Sequence, residues 1–470
     1  MTQTIQRKLN DSAVARWGAM VLIALMMLFA HMFVDVISPL KELIQIQRGW
    51  TSDVFGTYAG SEYLLNVWGF LIVAGIILDK MGIRFTGLTS AIVMVVGACI
   101  KYFAVSDAFV GTGLESWLNS WWVAMPASAK LASFGFMIFG CGCEMAGITA
   151  SKALAKWFEG KEMALAMGLE MALTRVSVFI IFTISPRIAG IGGANPSIVR
   201  PVALCCALLV IGLLCYLVFC VMDRKLDAQL GDSVAKTENE EEFKFADVIN
   251  IFKSKLFWIV AILCVLYYSA IFPFQKFAAN MLQSNLGLSA TMASDIFRWF
   301  PIGAACITPL LGWFLDKKGK GATMLILGSL LMIVCHLTFA LVLPAFPNTI
   351  IAFAAIILLG VSFSLVPASL WPSIPKIMDK RFLGSAYSLI FWVQNFGLMG
   401  MPIVIGWVLE KCNPGVAEQI ATGTEGAVYN YTVPMLLFAS LGGLALLFSL
   451  WLKVMDKRKG YGLELPNIKE

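Results

Sequence analysis

Residues 75–82 read Gly-Ile-Ile-Leu-Asp-Lys-Met-Gly, and residues 312–319 read Gly-Trp-Phe-Leu-Asp-Lys-Lys-Gly. The shared pattern is G-x-x-L-D-K-x-G: Gly75, Asp79, Lys80 and Gly82 in the first copy, Gly312, Asp316, Lys317 and Gly319 in the second. The copies start 237 residues apart in a chain of 470. Each lies in a short charged gap between long apolar runs, as in a tight turn between two membrane helices. Glycines allow close helix approach and positive φ in such a turn. The Asp can cap a helix or pair with a base across the interface between halves, and the Lys marks a cytoplasmic loop. One copy could arise in any polar turn; two at equivalent places mark a duplicated polytopic membrane protein.

Composition agrees. Hydrophobic residues make up 59% and charged residues 14% of the chain, against about a quarter charged in soluble domains. Twelve apolar stretches of spanning length can be read, near 15–40, 54–78, 84–105, 129–151, 163–186, 199–221, 256–282, 291–315, 321–344, 348–371, 383–409 and 429–453. The first is too long for the core of a signal peptide. The expected fold is an all-α membrane protein, twelve transmembrane helices in two pseudo-symmetric six-helix halves. Residues 1–222 form the N-terminal half, 223–255 a cytoplasmic linker with a short amphipathic helix from Phe243 to Phe252, and 256–470 the C-terminal half.

Lys and Arg fall on alternate sides of these stretches, 25 in the inner segments and 6 in the outer loops. That excess places both termini in the cytoplasm. The outer loop from Ser106 to Ser128 carries Trp117, Trp121 and Trp122 and is expected at the membrane interface. The net charge of +6 follows from this topology and calls for no nucleic acid. Of eleven cysteines, all but Cys412 lie in apolar stretches, and only His31 and His336 are present, so no disulfide framework, metal site or cofactor is expected. No nucleophile–base arrangement can be assembled, so catalysis is not expected.

Charge inside a membrane costs a few kcal/mol, roughly 2.5–3.5 at the centre on insertion scales, and points to function. Glu144 in the fourth stretch and Arg175 in the fifth fall in the middle third of adjacent antiparallel helices. They either bridge to each other as a structural lock or flank a shared ligand. Glu62, Lys276 and Arg298 lie nearer the outer side, as outer-gate charges. Asp35 and Lys101 read as interfacial, and His31 as a packed polar residue. Tyr58, Tyr267, Tyr268, Trp371, Trp392, Gln394 and Asn395 are available to line a site; Tyr267, Trp371, Gln394 and Asn395 join Glu144 and Arg175 as the expected substrate-binding set. Pro273, Pro301, Pro367 and Pro372 should bend the seventh, eighth and tenth helices.

The repeated loop resembles the signature of the major facilitator superfamily, in which two halves rock about a central site. That resemblance implies a gating role for Asp79 and Asp316. Further runs are more specific: Trp157-Phe158-Glu159-Gly160-Lys161-Glu162, Tyr267-Tyr268 with Ala270-Ile271-Phe272-Pro273-Phe274, Ala368-Ser369-Leu370-Trp371-Pro372, and Gln394-Asn395-Phe396-Gly397-Leu398. Together they resemble the lysosomal dipeptide transporter branch of the superfamily. The resemblance implies that Glu144 and Arg175, 31 residues apart, contact the charged ends of a dipeptide, and it favours a uniporter without an obligatory ion. The cysteine-rich run before Glu144 and the position of Lys276 after Pro273-Phe274 depart from the branch pattern.

The expected function is therefore alternating-access transport of small polar solutes, foremost short peptides, by uniport or proton-coupled movement. A small-anion transporter or exchanger using Arg175 and Arg298 is the alternative, and a transport-dead scaffold or sensor a remote one. The expected partners are a small-molecule substrate, peptide or anion, and the lipid bilayer. A monomer is expected, because each chain holds both halves of its own pathway. The short N-terminal segment shows no acidic dileucine signal, which points to the cytoplasmic membrane of a bacterium, with a lysosomal membrane as the eukaryotic counterpart.

Overall fold

A computed structural model describes residues 8–159, 161–230, 250–378, 383–424 and 426–466. Most of the expected linker, and of the amphipathic helix from Phe243 to Phe252, lies outside these residues.

Twelve helical crossings can be traced among the described residues. α1 is Ala13–Asp35, continued through a 3-10 turn into Lys41–Arg48. α2 is broken into Ser52–Ser61, Leu64–Val67 and residues 70–81, and α3 spans residues 83–105. α4 is Ala127–Trp157, α5 Met163–Ala189, α6 Val199–Leu230 and α7 Lys255–Leu286. α8 is broken into Ala290–Phe297 and Phe300–Lys318. α9 is Gly321–Leu337, carried on by a π-turn to Ala345. α10 is Thr349–Ile377, α11 Leu383–Cys412 and α12 Thr432–Lys459. Among the described residues ten stretches are each long and apolar enough to cross a membrane, one of them joining the last piece of α2 to α3; α2 and α8 are in pieces.

The two breaks occupy equivalent places in the two halves. In α2 the regular helix is interrupted after Glu62, makes the single turn Leu64–Val67, and resumes past Gly69, whose φ of 95° is open to glycine. In α8 the break falls at Arg298–Trp299, just before Pro301, which lacks the N–H that an unbroken helix needs. The other three expected bends, Pro273, Pro367 and Pro372, lie inside helices that run on without interruption.

The two signature turns share one face of the molecule, here called the motif face. Gly82 and Gly319 make them, with φ of 74° and 71°. The first and last described residues lie on the same face. The Leu9 N–H donates to Gln229 at 2.6 Å, and the tail runs along the second turn, where the Lys320 and Gly321 N–H groups donate to Glu464 and Leu463 carbonyls at 3.0 Å. Lys376 at the end of α10 donates to the Leu465 carbonyl at 2.9 Å. On the opposite face, the far face, Trp122 and Trp117 of the α3–α4 connection are exposed, as an interfacial loop requires.

Polar and aromatic contacts between the halves belong to the far side among the described residues. α2 lies directly on α11 there: a Cβ on Gly56 would come within 2.2 Å of the Pro402 carbonyl, and one on Gly406 within 2.3 Å of the Ser52 carbonyl. Further out, Gln45 donates to Tyr429 at 3.0 Å, the Ser52 N–H to Glu410 at 3.1 Å, and Gln283 to Glu42 at 2.8 Å. The deepest are Trp392, whose indole N–H donates to the Val67 carbonyl at 2.8 Å, and Arg175. The halves are thus drawn together at the far face, over a vestibule of about 500 Å³ lined by Glu42, Asn280, Gln283 and Tyr429.

Candidate transport pathway and gates

Arg175 and Glu144 are not paired. Arg175 leaves α5 in the N-terminal half and lays its guanidinium 4.6 Å from the Phe363 ring and 5.8 Å from Phe272, both in the C-terminal half. Those rings belong to an aromatic wall. Tyr268 stacks on Phe272 at 5.7 Å, meets Phe363 edge-on at 6.0 Å, and accepts the Trp371 indole N–H at 3.3 Å. Trp371 in turn stacks on Phe391 at 4.8 Å. An arginine over ring faces is held by the quadrupole and keeps its N–H fork free. Neither Arg175 nor Glu144 makes an ion pair or side-chain hydrogen bond with a described residue, and both are half-buried.

The other expected binding residues divide. Trp371 is in the wall. Tyr267 points the other way, into the C-terminal half, where its hydroxyl meets the Leu325 carbonyl, Ser329 and Ser449. Its neighbour Tyr268 is the one beside Arg175. Gln394 accepts from Cys264 at 3.1 Å, and Asn395 donates to the Phe391 carbonyl one turn back while its Oδ1 is unpartnered among the described residues.

Lys276 reaches from α7 to the end of α1, where it donates to the Val34 carbonyl at 3.0 Å and pairs with Asp35 at 3.1 Å. Asp35 also accepts from Ser38 and Gln275. Glu62, at the α2 break, lies 3.8 Å from the same ammonium. Asp35 and Lys101 thus differ from the interfacial reading. Asp35 is buried between the halves, and Lys101 is fully buried in the N-terminal half, 4.0 Å from the Phe33 ring and 4.5 Å from Phe136, donating to the Phe33 carbonyl. Arg298 faces Asp295 at 2.9 Å, and Asp295 also binds Arg187 of α5 at 2.7 Å, a second tie across the far side. His31 donates its Nδ1–H within its own helix to the Met27 carbonyl at 2.8 Å.

At the motif face Asp79 pairs with Lys152 of α4 at 2.6 Å, inside its own half. Asp316 is engaged as well, and Lys317 lies 5.3 Å over Trp313. Lys80 is exposed. Gly75 and Gly312 have no described atom within 4 Å of where a Cβ would stand, so the close approach expected of them is not made here. A cluster outside the expected set braces this side: Asp223 and Asp227 of α6 bind Arg84 and Lys156, and Asp223 accepts the Trp157 indole N–H at 2.9 Å. Their sequence positions read as linker, because a polar run after an apolar stretch looks the same whether or not the helix continues.

The profile described as Major Facilitator Superfamily matches residues 23–399 and 276–466 of the chain. The chain belongs to the Major Facilitator Superfamily. It is a multi-pass membrane transporter. Among curated proteins it is similar to the lysosomal dipeptide transporter MFSD1 of Danio rerio, 29% identical over 79% of this chain and 75% of that protein. The human protein of the same name is 26% identical over 72% of this chain and 68% of its own length. Among solved structures, the nucleoside transporter NupG superposes with a TM-score of 0.65 at 14% identity, covering 94% of this chain and 99% of that one. An inward-facing, occupied bacterial homologue of the human lysosomal transporter Spinster also superposes at 0.65, with 13% identity, covering 96% and 97%. These likenesses establish the fold.

Proposed function

We propose that this transporter carries short peptides, dipeptides first, with Arg175 taking the carboxylate and Glu144 the ammonium. The observation that carries the reading is the absence of an ion pair between them. A structural lock would join the two charges. Instead, two unlike charges on neighbouring helices each lack an ion-pair partner among the described residues, the arrangement that suits a zwitterion whose ends are a few ångströms apart. A guanidinium fork complements a carboxylate with two parallel hydrogen bonds, and the Tyr268–Phe363 wall beside it suits the body of a peptide. The named function of the MFSD1 relatives supports the same substrate class.

The small-anion alternative needs Arg175 and Arg298 to face one another. Arg298 is instead held by Asp295 and donates to Thr183 at 3.4 Å, and Glu144 would repel an anion. Uniport is the simpler mode, since Asp35 neutralises Lys276 without a proton. We place the motif face in the cytoplasm by the Lys and Arg bias, in a bacterial cytoplasmic membrane or a lysosomal one, and read the protein as a monomer.

The test is labelled-dipeptide counterflow in proteoliposomes for wild type, Glu144→Gln and Arg175→Ala. Exchange in wild type that disappears in both variants, with or without a pH gradient, is the expected result. A stable wild-type protein that exchanges no peptide but exchanges nitrate or an organic acid would replace this reading with the anion one.

A further inference from the structure

Glu62 is a carboxylate that is only loosely held. Its side chain is 6% exposed, and its Oε2 has no hydrogen-bond partner among the described residues. The one described base within ion-pair reach, Lys276, is 3.8 Å away and is already satisfied by Asp35 at 3.1 Å and the Val34 carbonyl at 3.0 Å. Lys101 faces the same cluster from α3 but sits over the Phe33 and Phe136 rings and makes no ion pair with a described residue. A buried acid held this loosely by the local bases is costly in a membrane and points to function.

Its position fits such a visitor. Glu62 sits at the α2 break, and α4 meets it closely: a Cβ on Gly140 would stand 1.9 Å from the Glu62 carbonyl oxygen. Glu144 follows Gly140 by one helical turn, on the same side of α4 and toward the motif face. The close approach at Gly140 therefore brings the stretch of α4 that carries Glu144 against the α2 break. The two carboxylates form two steps of an acidic path along the N-terminal half, Glu62 nearer the far face and Glu144 nearer the centre.

We propose that Glu62 is a second acceptor for the ammonium group of the peptide, filled in alternation with Lys276. The proposal rests on the peptide reading above. Asp35 and Glu62 stay with the N-terminal half when the far face opens, while Lys276 leaves with the C-terminal half. The opened site then holds two carboxylates against Lys101 alone, and an incoming ammonium restores the balance. As the far face closes, Lys276 returns to Asp35, and the ammonium steps one turn along α4 to Glu144, where Arg175 receives the carboxylate. The gate lysine and the substrate compete for one acidic site, which couples occupancy to closure.

The experiment compares binding of a dipeptide and of its N-acetylated form, which lacks the ammonium, to the purified full chain by calorimetry. Glu144→Gln alone should keep a preference of about tenfold for the free amine, the order of one hydrogen bond to a charged group. Adding Glu62→Gln should erase that preference while leaving affinity for the N-acetyl peptide unchanged, which a merely structural defect would not do. Glu62→Asp in the same background, should the double amide not fold, should reduce the preference. A Glu144→Gln protein that binds both peptides equally overturns the role of Glu62, as does a preference unmoved by either change at Glu62. Wild type that binds neither peptide overturns the peptide reading and this proposal together.

Discussion

Asp35 on α1 and Lys276 on α7 form a 3.1 Å ion pair, each side chain more than nine-tenths buried, that fastens one half of the transporter to the other. Removing one member of a buried pair costs about 3–5 kcal/mol, because the other is left charged and alone. Here that cost falls on the far-closed state, the one in which the halves meet. Lys276→Met should therefore raise labelling of a cysteine placed at Asn280 by an impermeant thiol reagent added to the far face. The exposed Cys99 and Cys412 would be replaced beforehand. The reversed pair, Asp35→Lys with Lys276→Asp, should slow the labelling again. Labelling that Lys276→Met leaves unchanged would show that the pair is no gate.

Arg175 should tolerate no replacement by lysine. An ammonium keeps the charge but loses the planar fork and most of the stacking on Phe363. Arg175→Lys is expected to weaken dipeptide binding at least about tenfold, and Arg175→Ala to abolish it. Neither should lower the thermal midpoint appreciably, since Arg175 has no ion pair with a described residue to lose. Wild-type affinity in a folded Arg175→Ala protein would remove Arg175 from the site.

Gly75 stands over open space in this state, on the helix whose far end carries Gly56 and Gly60 against α11. Closure of the motif face should bring Gly75 to the same kind of contact. Gly75→Leu is then expected to leave stability and peptide affinity in the far-closed state nearly unchanged and to cut counterflow at least about tenfold, since overpacking a closed contact costs typically 1–3 kcal/mol. Normal exchange in this variant would mean that α2 does not close on its neighbour there.

Acid should loosen the N-terminal segment late. Lys161 donates to Asp11 and holds its carboxyl below the ordinary 3.8; a backbone N–H and then Arg16 hold Glu162 below the ordinary 4.5. A carboxylate lowered on folding contributes stability that is whole above its unfolded value and lost as pH falls through its lower folded one. Residues 8–16 should keep their hydrogen-exchange protection at pH 7 and pH 5 and lose it only below about pH 4. Protection already lost at pH 5 would contradict the ties to Asp11 and Glu162.

The twelve crossings and the doubling were legible because hydropathy and charge bias are local properties, readable stretch by stretch. Facing was not. Tyr267 and Tyr268 are adjacent, yet about 100° apart around a helix, so one enters the C-terminal half and the other the aromatic wall. Asp35 and Lys101 lie near the ends of their apolar stretches and so read as interfacial. The chain runs on beyond them, through a turn after Asp35 and along the helix after Lys101, and α7 covers one while aromatic rings cover the other. Pro301 pointed to a break in α8, whereas nothing in the residues around Glu62 pointed to its partner in α2. Glu144 and Arg175 were visible as charges in apolar surroundings, but whether they pair depends on side-chain direction, which no spacing specifies.

The breaks in α2 and α8 also bear on where the molecule bends. An intact helix resists flexing because each turn would have to surrender its own backbone hydrogen bonds. At Glu62 and at Arg298 that loss has already been incurred, and in each half it falls beside a charged residue that reaches the opposing half. Motion can then be taken up at these two joints. A solute arriving beside either charge would be felt first by the most pliable segment of the wall that encloses it.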